Sequence, residues 1–171
     1  MSKLNDTLAK LEFKQIGWVV PDINVTLKFL EKSLRVEFPE VTRYNSEELG
    51  IKYHGKVVAH EGLVSQTYNG GTYIELIQPL SGQSLFGDYL KRFPLGGVQH
   101  MAFRCDVREF DAVIEEIGGQ GYQMIGEVDH SIARMKFFDT YTVMGVATEI
   151  MGITQEGWKA LGQIEGKTNP D

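Results

Sequence analysis

The sequence contains little of what marks a secreted, membrane-spanning or nucleic-acid-binding protein. It has one cysteine, Cys105, among 171 residues, so no internal disulfide can form and a reducing compartment is expected. No apolar run approaches the ~20 residues that span a bilayer. Lysine and arginine number 17 against 23 acidic residues, for a net charge of −6, which disfavours nucleic acid or an anionic membrane as a partner. Residues 1–6 lack the layout of a signal peptide, and we expect a cytoplasmic protein.

The composition that remains is typical of an ordinary folded domain. Hydrophobic residues make up 42% of the chain and charged residues 23%, which is enough apolar surface for one domain or two small modules with a shared core. We expect an N-terminal arm at residues 1–12 and a single domain at 13–153. Residues 154–171 are expected to form a polar tail with one short helical segment around Trp158 and Leu161.

Two stretches half a chain apart share one layout. Each has a polar residue, a short apolar strand and an aspartate that begins an amphipathic helix. In residues 13–22 the polar residue is Gln15 and the aspartate is Asp22; in residues 96–106 they are His100 and Asp106. Aspartate is a favoured helix N-cap, and Gln15 and His100 are 85 residues apart. The offset indicates an internal duplication.

Further strands are predicted after each helix. The first half shows strands at 56–66 and 73–78, the latter closing at Pro79, with a hairpin turn at 69–71; residues 39–55 are expected to be loop or ragged strand. The second half shows strands at 122–128, 133–138 and 146–151. The predicted fold is α+β, with two tandem βαβββ modules at 13–79 and 97–153, joined by a connector at 80–96.

The two modules place four side chains in equivalent positions. Glu75 and Glu149 each lie inside the otherwise apolar last strand of their module. Burying an unpaired carboxylate there costs roughly several kcal/mol unless a metal or a proton neutralises it. With Gln15 and His100 they make a mixed nitrogen and oxygen donor set suited to a hexacoordinate divalent ion. Taken one at a time, a glutamate on a strand more often faces solvent than a metal, and a lone histidine is more often a hydrogen-bonded core residue.

The chain resembles the vicinal-oxygen-chelate superfamily, which includes glyoxalase I, methylmalonyl-CoA epimerase, extradiol dioxygenases and bleomycin-resistance proteins. The resemblance covers most of residues 13–151, and its connector is most similar to the methylmalonyl-CoA epimerase branch. The matching stretches are Gln-Ile-Gly-Trp-Val-Val-Pro-Asp at 15–22, Tyr-Ile-Glu-Leu-Ile-Gln-Pro at 73–79, Gly-Gly-Val-Gln-His-Met-Ala-Phe at 96–103 and Gly-Val-Ala-Thr-Glu-Ile at 145–150.

This resemblance implies a half-open, barrel-like sheet around a metal site. The family's metal positions fall on Gln15, Glu75, His100 and Glu149, and the implied ion is divalent (Co, Ni, Zn, Mn or Mg). In the epimerase branch the ion chelates two substrate oxygens and stabilises an enediolate, and the resemblance points to Glu149 as the base that removes a carbon-bound proton. The implied substrate is an acyl-CoA or a glutathione adduct, and a homodimer is expected.

Other members of the superfamily give alternative functions. An extradiol dioxygenase needs two histidines and one carboxylate for iron, whereas only one of the four positions is histidine. Glyoxalase I is an alternative because some of its members carry glutamine at the position of Gln15, where the epimerase branch usually has histidine. A metal-free binding module is a third reading, with an aromatic cleft lined by Trp18, Phe103 and Phe137.

An epimerase also needs a second proton-transfer group for the opposite face of the substrate. The strand around His60 and Glu61 is its expected source. Solvent-facing positions on an edge strand explain both residues slightly better, and because the sequence does not fix the hairpin register, neither is assigned a catalytic role.

Overall fold

The computed structural model describes residues 11–166 and shows one curled sheet with helices packed against it. The strands are β1 (Glu12–Val19), β2 (Thr42–Asn45), β3 (Lys52–Tyr53), β4 (Lys56–Val57), β5 (His60–Asn69), β6 (Thr72–Gly82), β7 (Gly97–Asp106), β8 (Met124–Asp129), β9 (Ala133–Phe138) and β10 (Ala147–Ile153). The helices are α1 (Ile23–Leu34), α2 (Leu85–Arg92), α3 (Val107–Gly119), α4 (Tyr141–Met144) and α5 (Gln155–Glu165). The α+β half-barrel fold predicted from the sequence is confirmed.

The start of each long helix follows from the aspartate that precedes it. The Asp22 carboxylate accepts hydrogen bonds from the backbone N–H groups of Asn24 and Val25, and Asp106 does the same for Arg108. These bonds satisfy N–H groups that have no partner inside the helix. The same cap in both halves fixes the same strand-to-helix transition twice.

The sheet pairs the two halves through their first strands. The strand order is β2-β5-β6-β1-β7-β10-β9-β8-β3-β4. β1 and β7 run antiparallel at the centre, and each lies parallel to the last strand of its own half, β6 or β10. The two halves are therefore related by an approximate two-fold axis between β1 and β7.

Helices α1 and α3 cover one face of the sheet. Leu76 belongs to the apolar cluster under α1, and Ile150 to the cluster under α3. Because successive side chains on a strand point to opposite faces, the neighbouring Glu75 and Glu149 point away from the helices. Cys105 is part of the α3 cluster, and burial raises the pKa of its thiol to about 11, so it is a small core residue.

A short hairpin from the first half crosses to the second half. Strands β3 and β4 pair with each other, and β3 pairs with β8 through Lys52–Glu127 and Tyr53–Gly126. Ragged strand was expected in this region, but its attachment to the other module was not. The crossing places residues of the first half beside the concave face of the second.

Three expectations at the borders of the domain are modified or fall outside the structure. The strand expected to close at Pro79 continues to Gly82. Leu80 is a bulged residue between the Gly62–Pro79 and Glu61–Ser81 pairs, and such a bulge accommodates a proline, which has no N–H to donate. The proposed N-terminal arm lies outside the described residues except for its last two. The proposed tail begins with α5, whose Glu165 pairs with Arg104 at 2.6 Å. No helix within residues 11–166 is long and apolar enough to cross a membrane.

Candidate metal and proton-transfer site

The structure brings the four side chains singled out from the sequence into mutual contact. His100 Nε2 lies 3.4 Å from Glu75 Oε2 and 3.3 Å from Glu149 Oε2. Gln15 Nε2 lies 3.1 Å from Glu75 Oε2, 3.4 Å from His100 Nε2 and 3.5 Å from Glu149 Oε2. Residues separated by as many as 134 positions therefore meet on the face of the sheet opposite α1 and α3.

The register of the sheet explains why they meet. In the first half, Glu75 lies opposite Gly17, two residues after Gln15. In the second half, Glu149 lies opposite Ala102, two residues after His100. The two pairs thus occupy equivalent positions, and the antiparallel contact of β1 with β7 sets them face to face. The duplication seen in the sequence is the geometric cause of the cluster.

Burial and charge shift the protonation of this cluster. His100 is 0% exposed and Glu149 2% exposed. Burial raises the pKa of the Glu149 carboxyl, and contact with His100 opposes that shift. Burial lowers the pKa of His100, but hydrogen bonds to Glu149 and Glu75 outweigh it and raise the pKa to about 9. In the absence of an ion, a proton on His100 therefore neutralises part of the acidic charge, and a cation that takes its place must release that proton.

A hydrogen-bond chain behind His100 fixes the orientation of its ring. His100 Nδ1 lies 2.8 Å from Gln99 Oε1, an atom that only accepts, and Gln99 Nε2 in turn donates to the Tyr141 hydroxyl at 2.8 Å. The Nδ1 position therefore carries a proton, and Nε2 is the ring atom directed at the carboxylates. This is the outer-shell arrangement that holds a metal-binding histidine in one tautomer.

Gln66 is a part of the site that the sequence reasoning missed. Its Nε2 donates to Gln15 Oε1, which leaves the Gln15 amide nitrogen directed at the carboxylates. The sequence signal for this residue is the hairpin turn at Gly70 and Gly71, both of which have positive φ. A two-residue turn pairs Asn69 with Thr72, and three residues further from the turn on each strand it pairs Gln66 with Glu75.

The donor set suits a divalent cation once the Gln15 amide is reversed. Around an ion with bonds of about 2.1 Å, neighbouring ligand atoms lie roughly 3.0–3.4 Å apart, close to the separations of His100 from the two carboxylates. Within residues 11–166 no three His, Cys, Asp or Glu side chains are already arranged as a metal cluster, and the Gln15 N–H₂ group meets the carboxylates instead. Turning that amide, with Gln66 turning alongside, presents Gln15 Oε1 as the fourth donor.

Two cavities flank the cluster. One, of about 210 Å³, lies between the β3–β4 hairpin, α2 and the sheet; the other, of about 200 Å³, lies on the side of α5. Glu75 and Glu149 line both. The first cavity is mainly apolar, with Leu85, Phe86 and Phe137 in its wall, and a small molecule held there would contact the carboxylates directly.

The aromatic cleft expected for a binding module is only partly present. Phe137 lines the first cavity and stands edge-on to His100, with ring centroids 5.2 Å apart. Trp18 and Phe103 instead pack with the helix-facing clusters on the other side of the sheet. The expectation that these two residues line the cleft is wrong, because strand alternation directs them to the opposite face.

The position of His100 requires glycine at residue 17. A substitution there therefore tests the site without changing any of the four proposed metal-binding side chains. A Cβ at Gly17 would collide with the imidazole ring of His100 on the adjacent strand. We expect Gly17→Ala to displace the ring, destabilise the fold by about 1–3 kcal/mol and weaken metal binding. Gly118→Ala on α3, where the added Cβ meets nothing within 4 Å, is the matched control. Calorimetric titration with Co²⁺ and thermal unfolding measure both effects, and unchanged Co²⁺ affinity in Gly17→Ala contradicts the assignment.

Comparison with known proteins identifies relatives at the level of family and fold. The sequence model of the glyoxalase/bleomycin resistance protein/dioxygenase superfamily matches residues 14–137. No curated protein matches the sequence.

Solved structures share the fold at low sequence identity. A hypothetical protein from Bacillus halodurans C-125 is 23% identical, with a TM-score of 0.60 over 84% of this chain and 95% of that one. Methylmalonyl-CoA epimerase from Mycobacterium tuberculosis is 18% identical, with a TM-score of 0.60 over 85% and 89% of the two chains. A variant of Streptomyces coelicolor methylmalonyl-CoA epimerase in complex with 2-nitronate-propionyl-CoA is 24% identical, with a TM-score of 0.59 over 84% and 99%.

Proposed function

The chain belongs to the glyoxalase/bleomycin resistance protein/dioxygenase superfamily, and within it we propose that it is a metal-dependent epimerase acting on the carbon next to the thioester of an acyl-CoA. One observation carries the proposal: the buried Glu149 carboxylate both contacts the donor set and lines the cavity that would hold a substrate. A base in that position can reach a carbon-bound proton of the substrate, next to the substrate oxygens on which negative charge develops.

The proposed chemistry divides the work between the ion and the protein. A divalent ion held by Gln15, Glu75, His100 and Glu149 supplies a Lewis acid for negative charge on the substrate oxygens. Glu149 accepts the proton from carbon, because its carboxylate lies in the wall of the cavity that would hold the substrate. The apolar wall of Leu85, Phe86 and Phe137 excludes water from the anion that forms.

The lining of the first cavity supports a short acyl group beside the donors, because its wall there is apolar. The phosphates of a CoA carrier would lie outside this cavity, since among the described residues that line it the one lysine or arginine is Lys52, which already pairs with Glu127 at 3.2 Å. One structural neighbour holds a nitronate analogue of propionyl-CoA, and a nitronate is a planar anion with the charge distribution of an enolate.

A glyoxalase I activity is the second candidate. The observation in its favour is Gln15, which reaches the cluster at the first donor position, where the epimerase branch usually has histidine and some glyoxalase I enzymes have glutamine. The same donors and the same base would serve proton transfer in a glutathione hemithioacetal.

Proton exchange in heavy water separates these functions. The protein, loaded in turn with Co²⁺, Ni²⁺, Zn²⁺, Mn²⁺ and Mg²⁺, is incubated with a single epimer of methylmalonyl-CoA in D₂O, and C2 is followed by NMR and chiral analysis. Deuterium at C2 with formation of the other epimer is the expected result. Turnover of methylglyoxal with glutathione instead supports the lyase, and absence of both activities with every ion contradicts the proposal.

A further inference from the structure

His60 is a buried histidine that lines the same cavity as Glu149 but is not one of the four donors. It begins β5, is 4% exposed and forms part of the cavity wall. Three strands, β6, β1 and β7, separate β5 from β10 in the sheet. Because the sheet curls, His60 and Glu149 approach the cavity from different walls.

The His60 ring is held so that one nitrogen is bonded and the other is not. His60 Nδ1 lies 3.0 Å from the backbone carbonyl oxygen of Val58, which only accepts, so Nδ1 carries a proton. The Ser46 hydroxyl accepts from the His60 backbone N–H at 2.8 Å and donates to the same Val58 oxygen. His60 Nε2 has no hydrogen-bond partner within the described residues.

A second unsatisfied polar atom lies beside it. The hydroxyl of Tyr44 is buried without a hydrogen-bond partner in the described part of the chain, and its ring stands edge-on to His60 with centroids 5.8 Å apart. Tyr44 also lines the cavity, and burial raises the pKa of its phenol above the ordinary value. Buried polar atoms are almost always bonded, so this pair indicates a place where a polar or reacting group of a ligand is received.

We propose that His60 is the second proton-transfer residue, which exchanges a proton with the face of the substrate carbon opposite Glu149. This inference rests on the proposed epimerase function. In one direction the C–H bond breaks, its proton passes to the Glu149 carboxylate and its electron pair enters the enolate. The protonated Nε2 of His60 then gives its proton to the other face, a new C–H bond forms and His60 becomes neutral. The reverse reaction, or proton exchange with water, restores both groups.

The structure also separates His60 from Glu61, its neighbour in the sequence. Glu61 pairs with the Arg43 guanidinium at 2.6 Å and is not part of the wall of either cavity beside the donors. Successive residues of a strand point to opposite faces, so only one of the two can meet the substrate.

The test measures proton exchange and epimerisation separately, starting from each epimer in D₂O. In His60→Gln we expect epimerisation to fall by about 10²–10⁴-fold, while the epimer whose hydrogen faces Glu149 still takes up deuterium with retained configuration. His60→Glu, which restores a proton-transfer group at the same position, should recover epimerisation at least tenfold over His60→Gln. Glu61→Gln, at the neighbouring residue that lines neither cavity, is the control and should retain exchange on both faces. Tyr44→Phe, which keeps the ring but removes the hydroxyl, is measured in parallel.

The outcomes distinguish the two levels of inference. If His60→Gln epimerises at the wild-type rate, or if it loses deuterium exchange equally from both epimers, the role of His60 is overturned and the proposed function stands. Loss of one-face exchange in Tyr44→Phe but not in His60→Gln assigns the proton to Tyr44 and also overturns it. Absence of exchange in the wild-type protein overturns the proposed function itself. Metal content and melting temperature, measured for every variant, confirm that each is folded and loaded.

Discussion

Replacing Glu149 with glutamine is expected to lower the rate of deuterium uptake at the substrate carbon by about 10²–10⁴-fold, the range that general bases contribute. The amide has nearly the shape of the carboxylate and keeps an oxygen directed at the ion, but it cannot accept the proton. Glu149 is also the more buried of the two carboxylates, with its side chain 3% exposed against 22% for Glu75. Exchange is measured by NMR at saturating substrate and metal concentrations. A slower rate then reflects loss of the base and not a lower metal occupancy.

Glu75→Gln is the matched control for this substitution. Glu75 occupies the equivalent position in the other half and contacts the same His100 nitrogen, at 3.4 Å. We expect it to lower metal affinity roughly tenfold or more while preserving most of the exchange rate at saturating metal. Exchange that survives in Glu149→Gln but is lost in Glu75→Gln would reverse the assigned roles of the two carboxylates.

The duplicated layout made most of the fold and the cluster of donors accessible from the sequence. The aspartate caps, Asp22 and Asp106, and the alternation around Glu75 and Glu149 are local patterns, and the sheet repeats them in both halves. Once two similar modules pair through their first strands, equivalent residues must converge. The clustering of these four residues was therefore predictable as a set, although no member was identifiable alone.

The parts that escaped prediction depend on long-range contacts. Strands β3 and β4 have two residues each, too few for any periodic signal, and only the finished sheet offers the β8 edge that Lys52 and Tyr53 pair with. The orientation of His60 is set by Ser46 and the Val58 carbonyl, which are brought together by the fold of that loop. Gln66 also escaped prediction, although the two-residue hairpin turn places it opposite Glu75.

A divalent ion is expected to stabilise the protein substantially, and this effect should depend on His100. An ion at 100 times its dissociation constant adds about 2.7 kcal/mol to the free energy of unfolding, which corresponds to a rise in melting temperature of roughly 5–10 °C for a chain of this size. The imidazole of His100 contacts both carboxylates and is fully buried. Its removal takes away the one nitrogen donor of the set and leaves Gln15 as the remaining side chain among the four that contacts both carboxylates.

His100→Ala should therefore lose most of the metal-dependent rise in melting temperature, measured by calorimetry with Co²⁺ or Mn²⁺ against chelator-treated protein. His54→Asn is the control, because His54 is an exposed histidine at a positive φ of 48° that asparagine tolerates. It removes a surface imidazole that binds ions non-specifically and should keep the full rise. If His100→Ala retains the rise and His54→Asn loses it, the stabilising ion binds at the surface and the four-residue cluster is not a metal site.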